Sequence, residues 1–144
     1  VSMLTNEHLK TVCTPVEQGE DIRPILTKMR LGMMEGVGGV GLAANQVGEP
    51  KRIILVANGG FIQTMINPVI VRKYGGTINS REGCLSYPGR LTLLVRHKKV
   101  EVTCFGEDWK PLRFKLNGIN AIIVQHELDH LNGRSCVDMG KVIR

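Results

Sequence analysis

Residues 124–130 read VQHELDH and hold the side chains best suited to chemistry in this chain. On a helix, residues four apart stand one above the other, so His126 and His130 can hold a single ion. Glu127 falls about 100° around the helix from His126. There it need not ligate an ion and could instead take a proton from a water. Two blander readings compete: a pair of half-buried core histidines, and a structural zinc site. Ile119, Ile122 and Ile123 approach on the same broad face, which sets the pair into an apolar wall and argues against the first. A closed structural site needs four protein ligands and would leave Glu127 without a task.

The third ligand is the open question. Fourteen residues follow His130 and none is Glu, so a downstream glutamate ligand is excluded. Cys136, at the end of HELDHLNGRSC, stands where one peptidase pattern, H-E-x-x-H-x-x-G-x-x-H, has its third histidine. Cys84, in REGCLSYPG, has the richer setting. Gly83 and Pro88 define a turn there, and Glu82, Ser86 and backbone N–H groups could surround a metal-facing thiolate. A small buried hydrophobe is the competing account of Cys84, and the only one offered for Cys13 and Cys104. The segment GVGGVG formally satisfies G-x-G-x-x-G. It follows a helix and leads into no βαβ unit, so a dinucleotide site is rejected. Its small residues read better as backbone approaching a cleft closely. LAANQ then brings Gln46 beside the reacting centre, with a surface glutamine as the rival.

These residues must be carried by a chain of 144 residues and 15.9 kDa, which fits one domain over residues 1–144. Apolar residues at 42% and charged residues at 22% exclude a disordered chain. No apolar run approaches the ~20 residues that span a bilayer, and no signal peptide opens the sequence. Four cysteines do not make a disulfide scaffold at this length. A reducing, cytoplasmic setting with no membrane partner is the expectation. The formal charge is +6, but the basic residues are scattered along the chain, and one Trp, two Tyr and three Phe offer little for bases to stack on. Specific nucleic-acid binding is therefore not expected.

Ile22, Ile25, Leu26, Met29 and Met33 follow helical spacing, with Pro24 in the first turn and Gly36 as a stop. RIILVA (residues 52–57) and VIVRK (residues 69–73) read as strands. KVEVTCF and PLRFKL alternate around GEDW as a hairpin, with Val100, Val102, Cys104, Leu112, Phe114 and Leu116 inward. A last helix starts near Asn117, with Asn120 as a rival start, and runs to Gly133. The fold class is α+β: a compact single domain with antiparallel strands around a central helix that bears the histidine motif.

Three segments in order, GVGLAANQ (residues 39–46), EGCLS (residues 82–86) and QHELDH (residues 125–130), resemble peptide deformylases, and the similarity runs from LTNEHLKTVCTPV to about Asp138. The resemblance implies metal-dependent hydrolysis of the N-formyl group from the formyl-methionine of nascent polypeptides, releasing formate. It implies a metal held by Cys84, His126 and His130, physiologically Fe²⁺, with Zn²⁺, Ni²⁺ or Co²⁺ able to replace it. It makes Glu127 the general base, and Gln46 and the Leu85 N–H the oxyanion donors. Gly39 and Gly41 would pair with substrate backbone, while Val40, Ile119, Ile122 and Ile123 would line a methionine pocket. Arg96 and Asp129 correspond to a charge pair behind the ligands, an exposed salt bridge being the alternative. Asn45 departs from the usual Thr or Pro, and Tyr87 from the usual Ile or Val. The sequence stops soon after Asp138 without the long C-terminal helix of many bacterial members. That suggests a short, phage-type form, a monomer, in which transient ribosome docking is in doubt.

Overall fold

The computed structural model describes residues 10–35, 40–84 and 87–143, with the backbone alone at Glu35, Cys84, Tyr87, Pro88, Val137 and Val142. In chain order the elements are α1 (Arg23–Glu35), β1 (Gly41–Ala43), a 3₁₀ turn (Ala44–Val47), β2 (Ile53–Asn58), β3 (Phe61–Cys84), β4 (Tyr87–Phe105), β5 (Pro111–Asn117), α2 (Gly118–Leu131), the short α3 (Cys136–Met139) and β6 (Lys141–Val142). The strands make one antiparallel sheet in the order β1-β2-β3-β4-β5, and β6 adds to β4. The α+β expectation holds.

The apolar run of β2 shows how the layers stack. Ile53 and Leu55 enter one buried cluster with Ile22, Ile25, Leu26 and Met29 of the α1 region. Ile54 and Val56 enter another with Ala121, Ile123, Val124, Leu128 and Leu131 of α2. Successive side chains of a strand point to opposite faces, so a strand covered on both sides must be apolar throughout. The predicted inward residues of the β4–β5 hairpin also hold: Val100, Val102, Cys104 and Leu116 are buried, with Leu112 and Phe114 packed against them. Each such aliphatic side chain, fully buried, contributes roughly 1.5–3 kcal/mol.

Helix α2 begins at Gly118, with Asn117 in the extended conformation of an N-cap but no side-chain cap bond. Asn120, the rival start, instead accepts a hydrogen bond from Asn58 across the layer at 3.0 Å. The helix ends at Leu131 rather than Gly133. Gln125 fixes its rotation against the sheet, accepting from His97 N at 2.9 Å and donating to His97 O at 2.8 Å.

Strands β3 and β4 are much longer than the sequence suggested, at 24 and 19 residues. Only residues 69–73 of β3 and 99–105 of β4 had read as strand, because Pro68, Gly75, Gly76 and Gly83 look like breakers. The ladder absorbs them by register shifts at Ile66/Val69, Ile70/Arg72, Tyr74/Thr77 and Glu82/Cys84, each an irregularity that spares the pairing beyond it. This long ribbon carries Glu82 and Arg96 under α2.

Candidate metal centre

Helix α2 is buried on nearly every side, so its polar residues must find partners or a ligand. His126 and His130 meet edge to face with ring centroids 5.1 Å apart, as positions four apart on one helix face allow. The ligand atoms of His126, Glu127 and His130 lie within 4.8 Å of one another, all in buried side chains. Burial holds the His130 imidazole down to about 3, with the nearby charges of His126 and Arg96 adding to the effect. At neutral pH it is an uncharged ring with a lone pair to give. Burial also pushes the Glu127 carboxyl up to about 7, and its Oε1 has no hydrogen-bond partner among the described residues. A fully buried carboxyl without a partner for that oxygen is costly unless something polar comes to it. The donor set and the unsatisfied oxygen fit a small cation with water beside it.

A buried charge network fixes the ring of His126. Glu82 Oε1 lies 2.7 Å from His126 Nδ1. Arg96 grips the same carboxylate through Nε at 2.8 Å and Nη2 at 2.7 Å, and turns its Nη1 to Asp129 on α2. The side chains of Arg96 and Asp129 are 4% and 19% exposed, so the simple exposed salt bridge is excluded. Burial alone would raise the Glu82 carboxyl, but hydrogen bonds from Arg96 and His126 overcome it and hold it down to about 2. Burial likewise disfavours charge on Arg96, and its two carboxylate partners more than reverse this. The sequence reading had Glu82 only as a neighbour of the cysteine. Its bonds to Arg96 and His126 span 14 and 44 residues and left no local signal.

The 3₁₀ turn that follows β1 carries Gln46. Gln46 is 2% exposed, and its Oε1 accepts from Ala43 N at 2.9 Å, which turns the NH₂ end the other way. Gly48, in the left-handed conformation at φ 88°, lets the chain leave that turn. Beside it, the Asn45 amide donates to the main-chain O of His130, a link that the sequence reading missed. Strand β1 runs close across α2. A Cβ on Gly41 would come within 2.7 Å of Glu127 Oε2 and of Ile123 Cγ2, so glycine is required there for close approach. Among the expected pocket residues Ile123 is buried, Ile122 is half-buried, and Val40 and Ile119 are exposed at 39% and 61%. Gly39, Leu85 and the side chain of Cys84 lie outside the described residues.

Cys136 was set aside on sequence grounds, yet the fold brings it near the centre. It is 1% exposed, its Sγ is 4.0 Å from Glu82 O, and it forms a second potential ligand group with Glu82 and His126. It approaches on the side of Glu82, whereas Gly41 lies against Glu127 and Ile123.

With this geometry in place, comparison with known proteins is direct. The family model described as polypeptide deformylase matches residues 1–142. A peptide deformylase of Neisseria meningitidis is 42% identical over 132 residues, covering 89% of this chain and 78% of the relative. The crystal structure of the deformylase of the Vibrio parahaemolyticus bacteriophage VP16T, solved with actinonin, superposes with a TM-score of 0.88 at 39% identity, covering 94% of this chain and 99% of that one. The Synechococcus elongatus peptide deformylase, also with actinonin, gives 0.89 at 35% identity, covering 97% and 77%. The longer bacterial relatives thus extend beyond the matched region, whereas the phage enzyme is matched almost end to end. Fold, motif helix and likeness over nearly the whole length agree: the chain belongs to the peptide deformylase family, metal-dependent hydrolases that remove the N-formyl group from the formyl-methionine of new polypeptides.

Proposed function

We propose that Cys84, His126 and His130 hold one divalent ion, Fe²⁺ in the cell, and that Glu127 moves the protons of deformylation. A divalent ion bound there would supply Lewis acidity, polarising the formyl carbonyl and activating water near neutral pH. One thiolate and two neutral imidazoles suit Fe²⁺, Zn²⁺, Ni²⁺ or Co²⁺ and leave a coordination position open. The observation that carries the reading is the buried group of His126, Glu127 and His130, whose ligand atoms lie within 4.8 Å of one another, with burial pushing the Glu127 carboxyl up to about 7. A group poised near the working pH can both accept and return a proton. Glu127 takes the proton of the attacking water and gives it to the departing amide nitrogen. The bond between formyl carbon and nitrogen breaks, leaving formate and a free α-amine. The Gln46 NH₂ and the Leu85 N–H receive the negative charge that develops on the carbonyl oxygen.

The bond from His126 Nδ1 to Glu82 supports Nε2 as the ligating nitrogen, since such partners set the tautomer. Ile123 and Ile122, with Val40 and Ile119 at the rim, line the methionine pocket, while Gly39 and Gly41 pair with substrate backbone. Cys13 and Cys104 are free thiols, which suits a reducing cytoplasm, and no helix among the described residues is long and apolar enough to cross a membrane. The protein acts as a monomer on formyl-methionyl peptides. The test is formate release from formyl-Met-Ala-Ser after anaerobic loading with Fe²⁺. Turnover that follows metal content supports the reading; folded, metal-loaded protein that releases no formate overturns it.

A further inference from the structure

The basic residues that look scattered in sequence are gathered by the fold. Residues 61–117, strands β3 to β5 and their connections, carry ten Lys and Arg against four Asp and Glu. The rest of the chain carries nine of each, so the whole formal charge of +6 resides in this sheet region. Alternation then sorts the charges by face. Val100, Val102 and Cys104 point toward α2, which leaves Lys99, Glu101 and Thr103 on the outer face. Their cross-strand partners share that face: Tyr74 and Asn117 beside Lys99, Arg72 and Lys115 beside Glu101, and Arg113 beside Thr103. Further along the ribbon Arg81 lies opposite Leu93, again outward.

This face therefore presents Arg72, Arg81, Lys99, Arg113 and Lys115, all exposed. Glu101 is its only carboxylate among the described residues, and Arg113 engages it at 3.0 Å. No acidic side chain of the described residues pairs with Arg72, Arg81, Lys99 or Lys115. Val69 and Val95, 53% and 62% exposed, stand on the same face and make it a surface suited to contact. Strands about 4.8 Å apart, with outward residues about 7 Å apart along each, form a flat cationic grid.

We propose that the outer face of β3, β4 and β5 is a docking surface for structured RNA, bound through its phosphates. The grid has the complementary charge, and the wide, shallow minor groove of an RNA duplex offers phosphates and 2′-hydroxyls to a flat surface. Single strands fit less well, since they are held by aromatic platforms. Tyr74, the ring between Arg72 and Lys99 in this grid, is already engaged, with Arg72 4.4 Å and Lys99 6.0 Å from its centroid. The surface lies on the opposite side of the sheet from α2, so it can hold RNA while the cleft works on a peptide. It does not depend on the roles assigned to the metal ligands.

The test is fluorescence anisotropy of a labelled 20-base-pair RNA hairpin with the full chain, read from 50 to 200 mM KCl. Engaging about four cations should give a logarithmic salt slope of about −3.6, or roughly 150-fold weaker binding across that range. The triple variant Arg72→Glu, Lys99→Glu, Lys115→Glu should bind at least ~30-fold more weakly while retaining full turnover of formyl-Met-Ala-Ser. A control variant, Lys10→Glu, Arg23→Glu, Arg134→Glu, reaches the same net charge from outside the sheet face and should lose less than ~5-fold. A milder triple change to Gln at Arg72, Lys99 and Lys115, checked by circular dichroism, covers the case that charge reversal unfolds the protein. Equal losses in the face and control variants would overturn the proposal, as would absent binding by the unmodified protein at 50 mM KCl. Preference for anionic vesicles or for single-stranded RNA of equal length would also contradict it. Loss of turnover with RNA binding intact would strike at the active-site reading alone.

Discussion

Strands β3 and β4 carry arginines on both faces, and the two sets live in opposite conditions. Arg96 points inward, is 4% exposed, and is gripped by Glu82 and Asp129. Arg72 points outward over the ring of Tyr74 with no carboxylate of the described residues against it. One step of alternation separates a charge that shapes a site from a charge that is left for solvent or a partner. A buried ion must be fully paired, and that need makes its geometry definite. The inward network consequently orients His126, while the outward grid keeps its charges available at little cost.

The largest expected effect lies on the inner side, at the ligand choice. Cys84→Ala should abolish tight stoichiometric metal binding and turnover, whereas Cys136→Ala should keep both. Metal analysis after gel filtration, with circular dichroism as a folding control, reads the outcome. The reverse pattern would move the centre to the group of Glu82, His126 and Cys136 and recast the chemistry.

Next comes the charge network itself. Arg96→Met leaves Glu82 and Asp129 without their cation and should cost about 3–5 kcal/mol in urea unfolding. Arg72→Gln should stay within about 0.5 kcal/mol, as surface changes do. Equal losses at the two positions would erase the contrast between the faces.

Gln46→Leu should retain metal but lose about 2–4 kcal/mol of transition-state stabilisation, the usual scale for an oxyanion donor. A rise in KM with unchanged kcat would make Gln46 a substrate-positioning group instead.

The smallest effect concerns the thiols behind the site. Burial pushes Cys13 and Cys104 up to about 11. Because the folded value exceeds the unfolded one, their contribution to stability is complete below about pH 8.5 and fades as pH rises toward 11. At pH 8 neither should react with iodoacetamide in the native protein, and both should react in urea. Prompt native labelling would show that this side of the core is open.

What the sequence revealed follows from what is local. The motif helix, α1 and the β4–β5 hairpin are written in periodicities of 3.6 and 2, and they formed as expected. The β3–β4 ribbon was hidden because Pro68, Gly75 and Gly76 signal breaks, and only the opposing strand shows that a register shift can accommodate them. The link from Asn45 to His130 spans 85 residues, and that from Gln125 to His97 spans 28; neither partner marks the other in sequence. Arg96 and Asp129 entered through the resemblance, and their burial came only with the fold. The cationic face was invisible for a related reason: alternate residues of three strands make one surface only after pairing sets their register.

The central claim is that Glu127 works as the proton carrier of a metal hydrolase rather than as one of the ligands. Its most direct test is to measure, side by side, metal content and formate release for the unmodified protein and for Glu127→Ala. The variant should keep nearly all its metal and lose at least ~10² in turnover, because proton transfer alone has been removed. Metal loss in proportion to activity would place Glu127 in the coordination sphere and contradict the account.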